Sequence, residues 1–105
     1  MDPYEIYIAY ISWVGDGKRR PILLIEEDGV YIKAFRITSQ YANKSDNIKA
    51  QYLEITDWQQ TGLSKMSYID TGEKVRIPIA LISSQSPIGK LSAEDKQRLL
   101  EFIAK

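Results

Sequence analysis

The 105-residue chain contains no cysteine and no histidine. The first absence excludes a disulfide framework and a thiolate metal site. The second removes the commonest general base and metal ligand near neutral pH, so any chemistry must rest on Arg, Lys, carboxylates, hydroxyls or the backbone. Net charge is missing as well, since fourteen Lys and Arg balance fourteen Asp and Glu; the whole-protein field does not announce a polyanionic partner. No apolar run approaches the ~20 residues of a membrane span. The opening Met1-Asp2-Pro3-Tyr4 has neither the basic nor the following apolar region of a secretory signal, which predicts a cytoplasmic protein with no membrane contact. G-x-S-x-G, P-loop and G-x-G-x-x-G motifs do not occur, and no metal or cofactor is expected.

What remains is the composition of one folded domain spanning 1–105, with 44% hydrophobic and 27% charged residues. Residues 5–14 are β-branched and aromatic on both alternating faces, the pattern of a strand covered on two sides. Gly15-Asp16-Gly17-Lys18-Arg19-Arg20-Pro21 then reads as a basic loop feeding a strand over 22–25. Asp28-Gly29 is a type I′ hairpin signal, with the returning strand over 30–38. A polar loop over 39–47 precedes a strand over 50–56. Asp57 as N-cap, Gln60 and a closing Gly62 predict a single helical turn. Strands over 66–70 and 74–82 flank a Thr71-Gly72 turn, with Pro78 at an edge or an irregularity. Ser92 and Asp95 form a capping box for a C-terminal helix whose apolar stripe is Leu99, Phe102 and Ile103, with i,i+4 pairs Glu94–Arg98 and Glu101–Lys105. The fold class is therefore mainly β with a C-terminal helix, as a small β-barrel or a strongly curved sheet.

Charge is uneven along the chain. From Lys18 to Lys49 there are seven cations against four anions, a local balance of +3. Glu26, Glu27 and Asp28 abut the hairpin turn and read as a solvated loop. The hairpin instead brings the basic segment beside Ile37-Thr38-Ser39-Gln40. With its centre at 28–29, Arg20 lies roughly across from residue 37, and Arg20 and Thr38 converge. A guanidinium with a hydroxyl and backbone N–H groups suits a phosphate. A basic turn beside a bridge threonine is the plain structural alternative.

The segments Gly17-Lys18-Arg19-Arg20-Pro21-Ile22-Leu23-Leu24-Ile25 and Ile37-Thr38-Ser39-Gln40 are joined further along by Ile55-Thr56-Asp57-Trp58, Thr61-Gly62-Leu63-Ser64-Lys65 and Ile88-Gly89-Lys90-Leu91-Ser92-Ala93-Glu94-Asp95. In this order, from about Ile6 to Phe102, they resemble the PemK/MazF family of toxin ribonucleases from bacterial toxin–antitoxin pairs. The resemblance implies a small SH3-like β-barrel of the CcdB/PemK-like kind, a homodimer, and sequence-specific, metal-independent cleavage of single-stranded RNA. It further implies a cognate antitoxin that covers the active site. By position, Arg20 and Thr38 match the family's catalytic Arg and Thr.

Such an enzyme uses the RNA 2′-hydroxyl as nucleophile and leaves 2′,3′-cyclic phosphate and 5′-hydroxyl ends, so the protein chiefly positions the substrate and stabilises charge. Lys18, Arg19, Arg36, Ser39 and Gln40 are then candidate RNA contacts, and Trp13 a candidate base-stacking residue. Two departures stand out. Ser67-Tyr68-Ile69-Asp70 carries an acid where relatives often have a base, and Arg36 replaces an apolar or small residue. Two other readings stay open: a non-catalytic barrel module that binds RNA or a protein partner, and the gyrase-directed relative of the fold, whose members typically end in Trp-Gly-Ile where this chain has Phe102-Ile103-Ala104-Lys105.

Overall fold

The structure, a computed structural model, describes residues 1–13 and 16–105, and their side chains outside 11–18. Among the described residues six strands form one antiparallel sheet: β1 (Glu5–Trp13), β2 (Asp16–Glu27), β3 (Tyr31–Thr38), β4 (Tyr52–Glu54), β5 (Tyr68–Pro78) and β6 (Gly89–Lys90). Their order across the sheet is β4-β5-β3-β2-β1-β6. A one-turn helix α1 (Asp46–Lys49) lies between β3 and β4, and the chain finishes with helix α2 (Ala93–Ile103). No helix among the described residues is long and apolar enough to cross a membrane.

Alternation along the strands feeds two cores, one on each face of the sheet. Ile6, Leu23, Phe35, Ile37, Leu53, Ile55 and Ile69 pack with Leu91 and, from α2, Leu99. On the opposite face Tyr7, Ala9, Ile22, Leu24, Ile32, Ala34 and Ile77 pack with Ile82. The apolar character of both faces of β1 thus has the origin expected of a doubly covered strand.

Helix α2 starts where its cap directs, the Ser92 Oγ accepting from the Asp95 N–H at 3.1 Å. Asp95 does not complete the box by reaching back to the cap. Its carboxylate turns inward, accepting from Thr56 Oγ1 at 2.7 Å, the Asp57 N–H at 2.8 Å and Arg98 at 2.8 Å. Arg98 is therefore paired at i,i+3 with Asp95 and not with Glu94, because the buried carboxylate is the stronger partner. Leu99 is fully buried, Phe102 half-buried and Ile103 exposed, so the apolar stripe is narrower than expected.

Several expectations are corrected. The basic segment is strand rather than loop. Lys18, Arg19 and Arg20 pair with Ile11, Tyr10 and Ala9, and this ladder outweighs the turn preference of the neighbouring glycines. The β2–β3 turn is not type I′, which needs positive φ at both central residues. Only Gly29 has it, at 93°, while Asp28 closes the turn by accepting at Oδ1 from the Val30 and Tyr31 N–H groups. The polar stretch 39–47 includes the start of α1, capped by Ser45.

Residues 66–82 give a single strand β5, and the expected turn is an irregularity within it. Asp70 pairs with Arg36 and Lys74 with Phe35, which leaves 71–73 bulged out. After Pro78 the chain makes a 3-10 turn, Ile79–Leu81, instead of more strand. The turn Trp58–Thr61 does form and ends at Gly62 with φ 84°, but Asp57 does not cap it; its Oδ2 accepts from Ser92 Oγ at 2.7 Å instead. Finally, among the described residues no ladder joins β4 to β6, so this sheet is open and the expected barrel closure is not formed.

Candidate functional site

On β3 the side chains of Ile32, Ala34, Arg36 and Thr38 share one face. The first two belong to a core, and the last two continue that face where the apolar cover runs out. The β2–β3 register sets Ile22 opposite Arg36, and two residues further along β2 the same register brings Arg20 level with Thr38. Arg20, Arg36, Thr38 and Gln40 accordingly line one open cleft of about 330 Å³, together with Lys44, Gln51, Tyr52 and Asp70.

Arg20 also borders a second cavity of about 150 Å³ with Pro21, Ser39, Lys65 and Ser67. It stands between the two, and a polymer crossing from one to the other would pass its guanidinium. Ser67 is buried and donates its Oγ to the Lys65 carbonyl at 2.9 Å, a bond that holds the local chain.

The geometry assigns each group a different capacity. Thr38 Oγ1 accepts from the Gln40 N–H at 3.0 Å, which leaves the hydroxyl proton as a donor. Arg36 reaches Glu73 at 3.5 Å in an exposed pair of small worth, so its guanidinium can be recruited by a ligand. Three cations, Arg20, Arg36 and Lys44, thus border a cleft with one carboxylate, Asp70. Such a surface binds anions, and arginine forks in particular match phosphate oxygens.

Beside it lie three tyrosines. Tyr41 stacks on Tyr68 with centroids 4.3 Å apart, and Tyr52 stands 6.2 and 6.4 Å from the two. Lys49 Nζ lies 5.1 Å from the Tyr41 ring centre. Burial, reinforced by the Asp70 charge and opposed by Arg36, pushes the Tyr52 phenol up; burial with Glu54 and Tyr41 does the same for Tyr68. Both phenols are thereby held in their neutral form, and the Tyr52 ring is part of the cleft wall.

Not every sequence candidate is gathered here. Arg19 is exposed and one residue out of phase with Arg20, so strand alternation sends it to the other face, away from both cavities. Ser39 joins the second cavity and Gln40 the first. The side chains of Trp13 and Lys18 lie outside the described residues. Conversely, Lys44, Gln51 and Tyr52 line the cleft without having been singled out as site residues from sequence, and Asp70, noted there only as a departure, lines it too. Asp70 and Tyr52 arrive through β3–β5 and β5–β4 pairing, for which short-range patterns give no signal. Among the described residues no group of three or more acidic side chains is placed to hold a metal ion. Neither a family model nor a curated protein matches the chain.

Proposed function

We propose that the chain is a metal-independent endoribonuclease of the PemK/MazF toxin kind, cutting single-stranded RNA at short preferred sequences. The observation that carries this reading is the convergence of Arg20 and Thr38, from different strands, on one open cationic cleft. In the proposed reaction the RNA 2′-oxygen attacks the adjacent phosphorus and the P–O5′ bond breaks. The 2′-hydroxyl proton leaves to solvent or a base, and the departing 5′-oxygen gains one, giving a 2′,3′-cyclic phosphate and a 5′-hydroxyl. Arg20 stabilises the extra negative charge on the pentacoordinate phosphorus, while the Thr38 hydroxyl donates to a non-bridging oxygen. An arginine stays protonated in proteins and serves as charge stabiliser, not as base. Lys44, on the same cleft, holds a flanking phosphate.

The same reading takes the open sheet with its C-terminal helix as CcdB/PemK-like without barrel closure, and the working form as a cytoplasmic homodimer. Its antitoxin would be a segment rich in acidic and apolar residues that folds over the cationic cleft. Expression without that partner should arrest growth.

The test is incubation of the purified protein and its Arg20→Ala variant with a long single-stranded RNA in EDTA, followed by mapping of fragment ends. Cuts at a recurring short sequence, with cyclic phosphate and 5′-hydroxyl ends, that vanish in the variant support the proposal. Intact RNA from folded protein overturns it in favour of a non-catalytic module that binds RNA or a protein.

A further inference from the structure

The cleft has one element that phosphate binding does not use. Arg36 on β3 lies opposite Asp70 on β5, and Asp70 opposite Tyr52 on β4, so the three stand in a row across neighbouring strands. All three line the cleft. The β5 bulge ends at this row, pinned where the Thr71 N–H and Oγ1 both donate to the Gln51 carbonyl, at 2.9 and 2.7 Å. The row is therefore fixed by the backbone, with a short side chain between two long ones.

That profile has the dimensions of a slot. Alternate strands are about 9.6 Å apart, twice the ordinary spacing. A planar ring held between two stacking partners needs roughly 7 Å. One wall is buttressed, since the Tyr52 ring is backed by the Tyr41–Tyr68 stack. The other is the Arg36 guanidinium, which among the described residues is held by its exposed pair with Glu73.

The floor is a carboxylate, which repels phosphate and accepts hydrogen bonds only. Among the described residues Asp70 accepts one such bond, from the Gly72 N–H to Oδ1 at 2.9 Å. A carboxylate has about four acceptor positions, so capacity remains.

Building on the ribonuclease reading, we infer that Arg36, Asp70 and Tyr52 form a slot for one nucleobase beside the scissile phosphate, and that the base is guanine. Unpaired bases are read by stacking on aromatic rings and arginine planes and by hydrogen bonds to their edges. Guanine alone presents two adjacent donors on that edge, N1–H and N2–H, which a carboxylate takes side by side. The amino groups of adenine and cytosine offer one N–H next to an acceptor nitrogen. The N3–H of uracil lies between two carbonyls that the carboxylate repels. Asp70 is thus a specificity residue whose charge selects a base at some cost in phosphate attraction.

The test separates base recognition from cleavage. The full chain is titrated by NMR with 5′-GMP, 5′-AMP, 5′-CMP and 5′-UMP, and in parallel a random-sequence RNA is digested and its ends mapped. The expected result is GMP binding at least about tenfold tighter than UMP, the discrimination a bidentate base contact provides, with shifts at Asp70 and Tyr52. Asp70→Asn should erase that ratio, and Tyr52→Leu should weaken all four nucleotides where Tyr52→Phe does not. In digestion, guanine should occupy one fixed position beside the cut, and Asp70→Asn should lower its kcat/KM advantage over uracil about tenfold. Equal binding of the four nucleotides, or a guanine preference that survives in Asp70→Asn, overturns the slot. Selective GMP binding by a protein that leaves RNA intact keeps the slot and removes the ribonuclease reading. Cleavage without a base preference at Asp70 does the reverse.

Discussion

The anchor beneath α2 and the cleft over β3 both combine carboxylate, hydroxyl and arginine groups, yet they use them in opposite ways. In the anchor, Asp95 is 1% exposed. It is met by the Thr56 and Asp57 N–H groups, the Thr56 hydroxyl and Arg98. Burial alone would push its carboxyl up, but these donors outweigh burial and hold it below the usual carboxylate range. In the cleft, Asp70 is half-buried with one backbone donor, Arg36 has an exposed partner, and Thr38 keeps its proton to give. A polar group whose bonding is completed within the chain fixes structure. One whose bonding is left open at a concave surface is available to a ligand.

That contrast can be broken by substitution. Arg20→Ala should lower RNA cleavage by about 100-fold or more, the scale of losing one transition-state donor. Circular dichroism of the same variant should still report a folded chain; an unfolded one would place Arg20 with the anchor and not with the cleft.

Asp95→Ala should do the opposite. It removes several hydrogen bonds and strands sheltered N–H groups, for a loss of about 3 kcal/mol and a fall in Tm of about 15 °C. Cleavage per folded molecule should be retained. A variant that melts normally would show the anchor to be ornamental.

Thr38→Val, nearly the same shape without the hydroxyl, should slow cleavage about tenfold, a neutral donor contributing less than a charged one. An unchanged rate would leave only the Thr38 backbone in the mechanism.

Titration probes the anchor through folding. Because the carboxyl of Asp95 is depressed in the fold, its contribution is complete above the ordinary Asp value near ~3.9 and is lost as pH falls through the lower folded value. Asp95→Asn should flatten that acid limb in urea unfolding. At the alkaline end, burial, together with the hydrogen bond to Glu5 Oε1 at 3.0 Å, pushes the Tyr7 phenol up to about 12. Its neutral form is the one the fold favours. Its contribution is therefore whole below the ordinary value near ~10 and disappears as pH rises towards about 12. Tyr7→Phe should remove this limb. The smallest effect belongs to a turn remote from both regions: Gly29→Ala, with φ at 93° and open space where the added Cβ would sit, should cost about 1 kcal/mol in unfolding and leave cleavage alone.

How much of this was legible in the sequence follows the range of the interactions. Local signals read well: Ser92 does cap α2, Gly62 does end the turn after Trp58, and the residues of β1 do enter cores on two faces. The approach of Arg20 to Thr38 was readable because a short hairpin joins them. Propensity misled at 16–20, where glycines and cations suggest a loop but pairing with β1 makes a strand. At 71–73 a turn-like tripeptide became a bulge because β3 aligns the flanking segments into one strand. Closure of the sheet is decided by distant edges, which no window of sequence contains. Asp70 read as a departure from a pattern, and only its row with Arg36 and Tyr52 gives it a role.

The strand order carries a consequence for how the molecule comes into being. The ladders β1–β2 and β2–β3 join segments adjacent along the chain, and short loops close quickly. The β3–β5 ladder must instead bring Tyr68 to Thr38 across about thirty intervening positions, a slower search. On contact range, Arg20 and Thr38 are expected to meet early, and Asp70 and the Tyr52 ring to join them when β5 docks. In time as in space, the phosphate-facing half of the cleft precedes the half that would read a base.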